Sequence, residues 1–218
     1  MTSELINPAF LFNLSANCLR TTAKWDKNGV ELDEKFMIPN FHAELGEGPN
    51  YADLRMAWND DGLLISLRTA GKNRDPECDE SKARGSDSLM LLIDTRNTKT
   101  IHRANRFCHQ FQFSPFGSVN SSDQPFAQML SIHRAKELPK PVEKDRIKIR
   151  SSRTNDGYQL QAFVPGDAIT GWDPSEHARI GFSYFILDKE LGQQTFSLGL
   201  EFPVSSDPSV WGTLELRT

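Results

Sequence analysis

The 218-residue chain has little cysteine: Cys18, Cys78 and Cys108. The number is odd, the spacings are long and there is no Cys-x-x-Cys pair. Neither a disulfide framework nor a structural zinc site is signalled, and the three read as small buried or half-buried thiols. Neither sign of charge is in excess. Against 29 Asp+Glu stand 25 Lys+Arg, a net charge of −4, which argues against a nucleic-acid partner. No apolar run reaches the ~18 residues of a membrane span. Gly-rich phosphate-binding loops and the G-x-S-x-G nucleophile elbow are both missing. The N-terminal Met1-Thr-Ser-Glu-Leu-Ile-Asn-Pro has no basic n-region and no continuous apolar h-region. As it stands the chain therefore reads as cytoplasmic, and as periplasmic or extracellular if a leader has been removed.

What the chain does have is core material, with 14 Phe and 4 Trp, which excludes disorder. Residues 1–50 are irregular. Leu5 to Leu14 is apolar but broken by Pro8 and Asn13, Cys18 to Ala23 reads as a short strand, and Pro39, Gly46, Gly48 and Pro49 mark loops. From Tyr51 the pattern becomes period two. Ala52, Leu54, Met56 and Trp58 alternate with polar or small residues, Asp61-Gly62 marks a hairpin, and Leu63 to Leu67 returns. Ser88 to Asp94 is a continuous apolar run, a strand buried on both faces. Further strands are expected at Phe107–Phe113, Ile147–Ile149, Tyr158–Val164, Ile180–Ile186, Phe196–Leu200 and Trp211–Leu216, with a second Asp-Gly turn at Asp156-Gly157. Phe126 to Lys136 fits a helical turn or a strand equally. Many short strands with almost no helical periodicity predict an all-β, antiparallel sandwich with short helical turns. A single domain over 1–218 is expected, with 1–50 wrapped onto the core.

The ordered set of these segments resembles the family 9 carbohydrate-binding modules and the related DOMON-like domains. Ala57-Trp58-Asn59-Asp60-Asp61-Gly62-Leu63-Leu64-Ile65 is similar to the family's strand–turn–strand. Gly85-Ser86-Asp87-Ser88-Leu89-Met90-Leu91-Leu92-Ile93-Asp94 resembles its acidic-led strand. Gly157 to Pro165 resembles the strand ending in Ile/Val-Pro, Ile180 to Tyr184 the next strand, and Trp211-Gly212-Thr213-Leu214 the terminal one. The resemblance runs from Tyr51 to the C-terminus and implies a jelly-roll-like sandwich. It further implies a carbohydrate or other small polar ligand gripped by aromatic faces, and a bound calcium, for which Asp87 and Asp94 are the candidate ligands. In the family one stacking Trp lies just before the acidic-led strand. Here that loop, Ser81 to Ser86, has no aromatic but carries Arg84, a candidate ligand contact.

The remaining candidates come from residue chemistry. Trp58 and Trp211 lie among strand apolars and read as core. Trp25 and Trp172 are flanked by polar and turn residues, and an exposed indole suits the C–H face of a sugar. The stretch from His102 to Gln112 is the densest in chemistry: Arg103, Arg106, Gln110 and Gln112 offer hydrogen bonds to hydroxyls or a carboxylate. The leading expectation is a non-catalytic module, with no nucleic acid or membrane as partner and no oligomeric state indicated. One alternative is a metal enzyme or metal-binding protein centred on His102, Cys108 and His109, though adjacent Cys108 and His109 would point to opposite faces of a strand. Another is an assembly domain using exposed Phe116 and Phe126.

Overall fold

Strand formation follows the alternation after Tyr51. In the computed structural model, which describes residues 12–46, 48–199 and 201–218 and only the backbone of 83 and 84, strand β2 spans Ala52–Asn59 and β3 spans Gly62–Thr69. They pair antiparallel from Ala52↔Thr69 to Asn59↔Gly62. The Asn59 Oδ1 closes the turn by accepting from the amides of Asp61 and Gly62. Gly62 has φ +146°, and a Cβ there would lie 2.2 Å from the Val164 carbonyl oxygen. The glycine is required as much by this approach as by the turn.

The other strands are β1 (Ser15–Arg20), β4 (Ser88–Asp94), β5 (Cys108–Ser114), β6 (Phe126–Leu130), β7 (Lys148–Thr154), β8 (Gly157–Pro165), β9 (Arg179–Asp188), β10 (Gly192–Thr195) and β11 (Gly212–Arg217). Their hydrogen-bonded order is β6-β5-β4-β9-β11-β1-β2-β3-β8-β7, with β10 added on β9. Pairing is antiparallel except at β1, which lies parallel to both β11 and β2. The result is the expected all-β sandwich. Leu89, Leu91 and Ile93 of β4, Phe111 and Phe113 of β5 and Phe182, Tyr184 and Ile186 of β9 share one core with Leu54, Met56, Leu63, Ile65, Leu160 and Val164. Alternate residues on each strand face that core, and the next residues face outward.

Two satellite clusters cover the outward faces. Over β4, β5 and β9, Met90, Leu92, Cys108 and Phe185 pack with Leu198, Val204 and Trp211. Over β2 and β3, Ala57 and Leu64 pack with Val30, Leu32 and Phe36 from the segment before β2. This is why β4 is buried at every position, as its unbroken apolar run predicts. Trp58 and Trp211 are core, as expected, and their indole N–H groups donate to the carbonyls of Arg217 and Val204.

One expectation is resolved and one is revised. Phe126 to Leu130 is a strand, because its backbone completes the ladder on β5. Phe196 to Leu200 is not one. The ladder on β9 ends at Thr195, after which Phe196 enters the main core and Leu198 the outer cluster, and Leu200 lies outside the described residues. The Leu5–Leu14 segment falls outside them as far as residue 11. The short helical pieces include α1 (Phe41–Glu44) and a 3-10 turn at Gly166–Ala168. Among the described residues no helix is long and apolar enough to cross a membrane.

Candidate functional site

An open cleft of about 700 Å³ is lined by Met37, Asn40, Glu44, Asn50 and Tyr51 together with Arg68 of β3 and Gln194 of β10. Its size falls in the range of small-molecule sites. Asn40 shapes its wall: the side-chain oxygen caps α1 at the Ala43 amide, and its Nδ2 donates to the Pro49 carbonyl. The loop is thereby pinned at both ends. Gln194, almost fully buried, braces the floor. Its Oε1 accepts from the amides of Tyr51 and Ala52 at 3.0 Å each, and its Nε2 donates to the Ala52 carbonyl. The Tyr51 hydroxyl is held against the Ile186 and Gly192 carbonyls at 2.8 and 3.1 Å. Burial, with Asp188 nearby, pushes its pKa up, so it stays a neutral phenol.

The cleft therefore has a fixed ring and an exposed Met37 as apolar surface, and Glu44, Asn50 and Arg68 as polar rim. Arg68 has a loose ion pair with Asp156 at 3.7 Å, and Asp53 is taken by Arg55. Among the described residues the lining holds no Ser, Thr, Cys or His. The arrangement suits hydrogen bonding of a polar ligand whose apolar edge rests on Tyr51 and Met37.

None of the residues singled out from the sequence lines this cleft. Trp25 is half-buried against the outer cluster over β2 and β3. Trp172 is half-buried against the main core, close enough to forbid a Cβ at Gly166, and its buried indole Nε1 has no acceptor among the described residues. Arg103 is exposed and donates to the Arg134 carbonyl, and Arg106 is exposed above the Phe107 ring. Gln110 and Gln112, by contrast, are buried on the outward face of β5. Gln110 donates to the Met90 sulfur, and Gln112 donates to the Ser88 hydroxyl and accepts from Gln128. Arg84 has no described side chain.

The carboxylates assigned to calcium stand at opposite ends of β4. Asp87 accepts from the amides of Glu77 and Lys189 and meets the Lys72 ammonium at 3.3 Å. That ammonium also pairs with Asp188 at 2.6 Å and Glu190 at 3.8 Å. A built-in cation thus compensates the acids around Asp87. Asp94 spends its oxygens on the amides of Arg96 and Thr98. Among the described residues no three acidic, His or Cys groups are gathered as a metal-binding cluster.

Nor do His102, Cys108 and His109 converge. Cys108 faces the outer cluster, where burial pushes its thiol pKa up to about 12. His109 is fully buried on the inward face, stacked on Phe111, with Nε2 accepting from the Thr170 amide, which makes Nδ1 the protonated nitrogen. His102 is exposed beside Asp207. Strand alternation separates the first two, as it must. Phe116 and Phe126 are buried, the former beneath the Arg153 guanidinium, so they form no exposed partner surface.

What the sequence reading missed is the cleft itself. Tyr51 had a usable signal, an aromatic opening a strand directly after the Pro49-Asn50 loop. Gln194 and Arg68 had none, because they reach the site only through sheet pairing.

No protein family model matches the chain, and no curated protein matches it by sequence. Solved structures do. A family 9 carbohydrate-binding module from Caldicellulosiruptor kristjanssonii in complex with cellotriose superposes with a TM-score of 0.61 at 13% identity, covering 94% of each chain. A family 9 module from that organism in complex with glucose gives 0.57 at 12% identity, covering 94% of this chain and 96% of that one. Near-complete coverage at such low identity speaks to backbone architecture. The chain thus has the β-sandwich fold of the family 9 carbohydrate-binding modules.

Proposed function

We propose that this protein is a non-catalytic carbohydrate-binding module whose ligand occupies the Tyr51 cleft. The observation that carries the carbohydrate reading is the shared fold over 94% of the chain with modules solved in complex with cellotriose and glucose. Support for the cleft comes from its geometry. An anchored ring and Met37 offer apolar surface to pyranose C–H groups, while Asn50, Glu44 and Arg68 offer an amide, an acceptor and a guanidinium donor to hydroxyls.

Calorimetric titration with glucose and cello-oligosaccharides tests it. Binding is expected in the micromolar to millimolar range. Asn50→Ala and Arg68→Met should each weaken it roughly tenfold, the cost of one good hydrogen bond, with the thermal midpoint unchanged. Absence of heat with every mono- and oligosaccharide tried at millimolar concentration overturns the carbohydrate reading. Variants that bind as tightly as the parent overturn the choice of cleft.

A further inference from the structure

A second pocket, of about 390 Å³, lies on another part of the surface, between residues 12–14, Lys99, His102, Ser197 and the approach to β11. Lys99 lines it, half-buried. Its Nζ donates to the carbonyls of Trp211 and Gly212, both at 2.7 Å, and makes no ion pair among the described residues. Most buried ammonium groups have a carboxylate within reach, as Lys72 does here. Burial lowers the Lys99 pKa to about 8, with Asp94 pulling it up and Arg179 pulling it down, so it is charged at neutral pH. His102 stands on the same wall, its Nδ1 tied to Asp207 and Ser209. At the mouth the Phe12 side chain is 62% exposed.

We propose that this pocket binds a carboxylate-bearing sugar, a uronate, with the carboxylate on Lys99 and the ring against Phe12. The sugar part of the assignment rests on the carbohydrate reading above, whereas the carboxylate part rests on Lys99. Two carbonyls fix the ammonium without neutralising it, so one desolvated positive charge awaits one negative charge. A single ammonium, with no guanidinium fork among the described lining residues, matches a monoanion better than a phosphate dianion. The exposed ring supplies the apolar half that a sugar acid needs and a free inorganic anion does not.

The test is calorimetry on the full chain at physiological salt, using glucuronate, glucose and inorganic phosphate as separate titrants. In a chain whose Tyr51 cleft is weakened by Arg68→Met, glucuronate should bind at least tenfold tighter than glucose does. Lys99→Gln keeps an N–H for the two carbonyls and removes the charge, so it should abolish that advantage. Phe12→Ala, which leaves the carbonyl staple intact, should weaken glucuronate several-fold. In both variants glucose affinity for the intact Tyr51 cleft should be unchanged. Glucuronate binding that is no tighter than glucose, or unaffected by Lys99→Gln and Phe12→Ala, overturns the proposal. So does phosphate binding that competes with or replaces glucuronate. Failure of glucose and all neutral oligosaccharides, with glucuronate retained, would sink the Tyr51 cleft and spare this pocket.

Discussion

His109 shows how much one side chain can commit to being neutral. Its ring lies inside the main core, its Nε2 accepts from the Thr170 amide, and burial lowers its pKa to about 4. In the unfolded chain a histidine titrates near 6.5. Between those values the unfolded chain binds more protons, so folding stability rises with pH and is lost as pH falls from about 6.5 to about 4. The loss is on the order of 3 kcal/mol. Urea midpoints across that range should fall steeply for the parent and follow a flatter course for His109→Gln, where the amide oxygen can still accept from Thr170. Lys72 makes the opposite commitment. With Asp87, Asp188 and Glu190 gathered on its ammonium, Lys72→Met leaves buried acids uncompensated and should cost about 3–5 kcal/mol. Chemical denaturation reads that directly. A loss below about 1 kcal/mol would mean the acids simply take up protons.

The two Asp-Gly hairpins look alike in sequence and do the same work in reciprocal fashion. β3 and β8 run side by side in opposite directions, so each hairpin turn lies beside the far end of the other strand. A Cβ on Gly62 would meet the Val164 carbonyl oxygen at 2.2 Å, and one on Gly157 would meet that of Thr69 at 2.3 Å. Gly62→Ala and Gly157→Ala should each destabilise by more than about 1 kcal/mol. Gly85→Ala, with nothing within 4 Å, should be nearly neutral. Equal midpoints for all three would show that the sheet yields easily. Turn chemistry of this kind is legible because Gly beside Asp has a local meaning. The end of β10 is not legible in that way: the Phe196–Leu200 alternation is real, but it divides residues between two clusters and makes no ladder.

Across the molecule, the segment before β2 acts as a lid on the outer face of β2 and β3. Phe36, Leu32 and Val30 bury there, and the Ile38 amide donates to the Leu54 carbonyl. Phe36→Ala should cost about 3 kcal/mol and raise amide exchange at Ile38 ahead of the main core. If exchange at Ile38 stays with the core, the segment and the sandwich open as one unit. This same segment carries Met37 and Tyr51 into the candidate cleft, so its loosening should also weaken ligand binding.

Alternation and turn residues sufficed to tell that the chain is built of strands, that β2, β4 and β8 lie where they do, and that Trp58 and Trp211 are interior. Those are local matters: a period of two, a Gly that tolerates what other residues do not, and enough apolar mass to close two layers. Pairing was another matter. β1 lies parallel between β11 and β2, matching Ser15 to Thr213 across nearly the whole chain, and no local pattern encodes such a partner. The cleft has the same origin, since Met37, Tyr51, Arg68 and Gln194 meet only after the sheet has folded over. Long-range neighbours depend on which strands pair, and that choice is made by the burial of all the faces together.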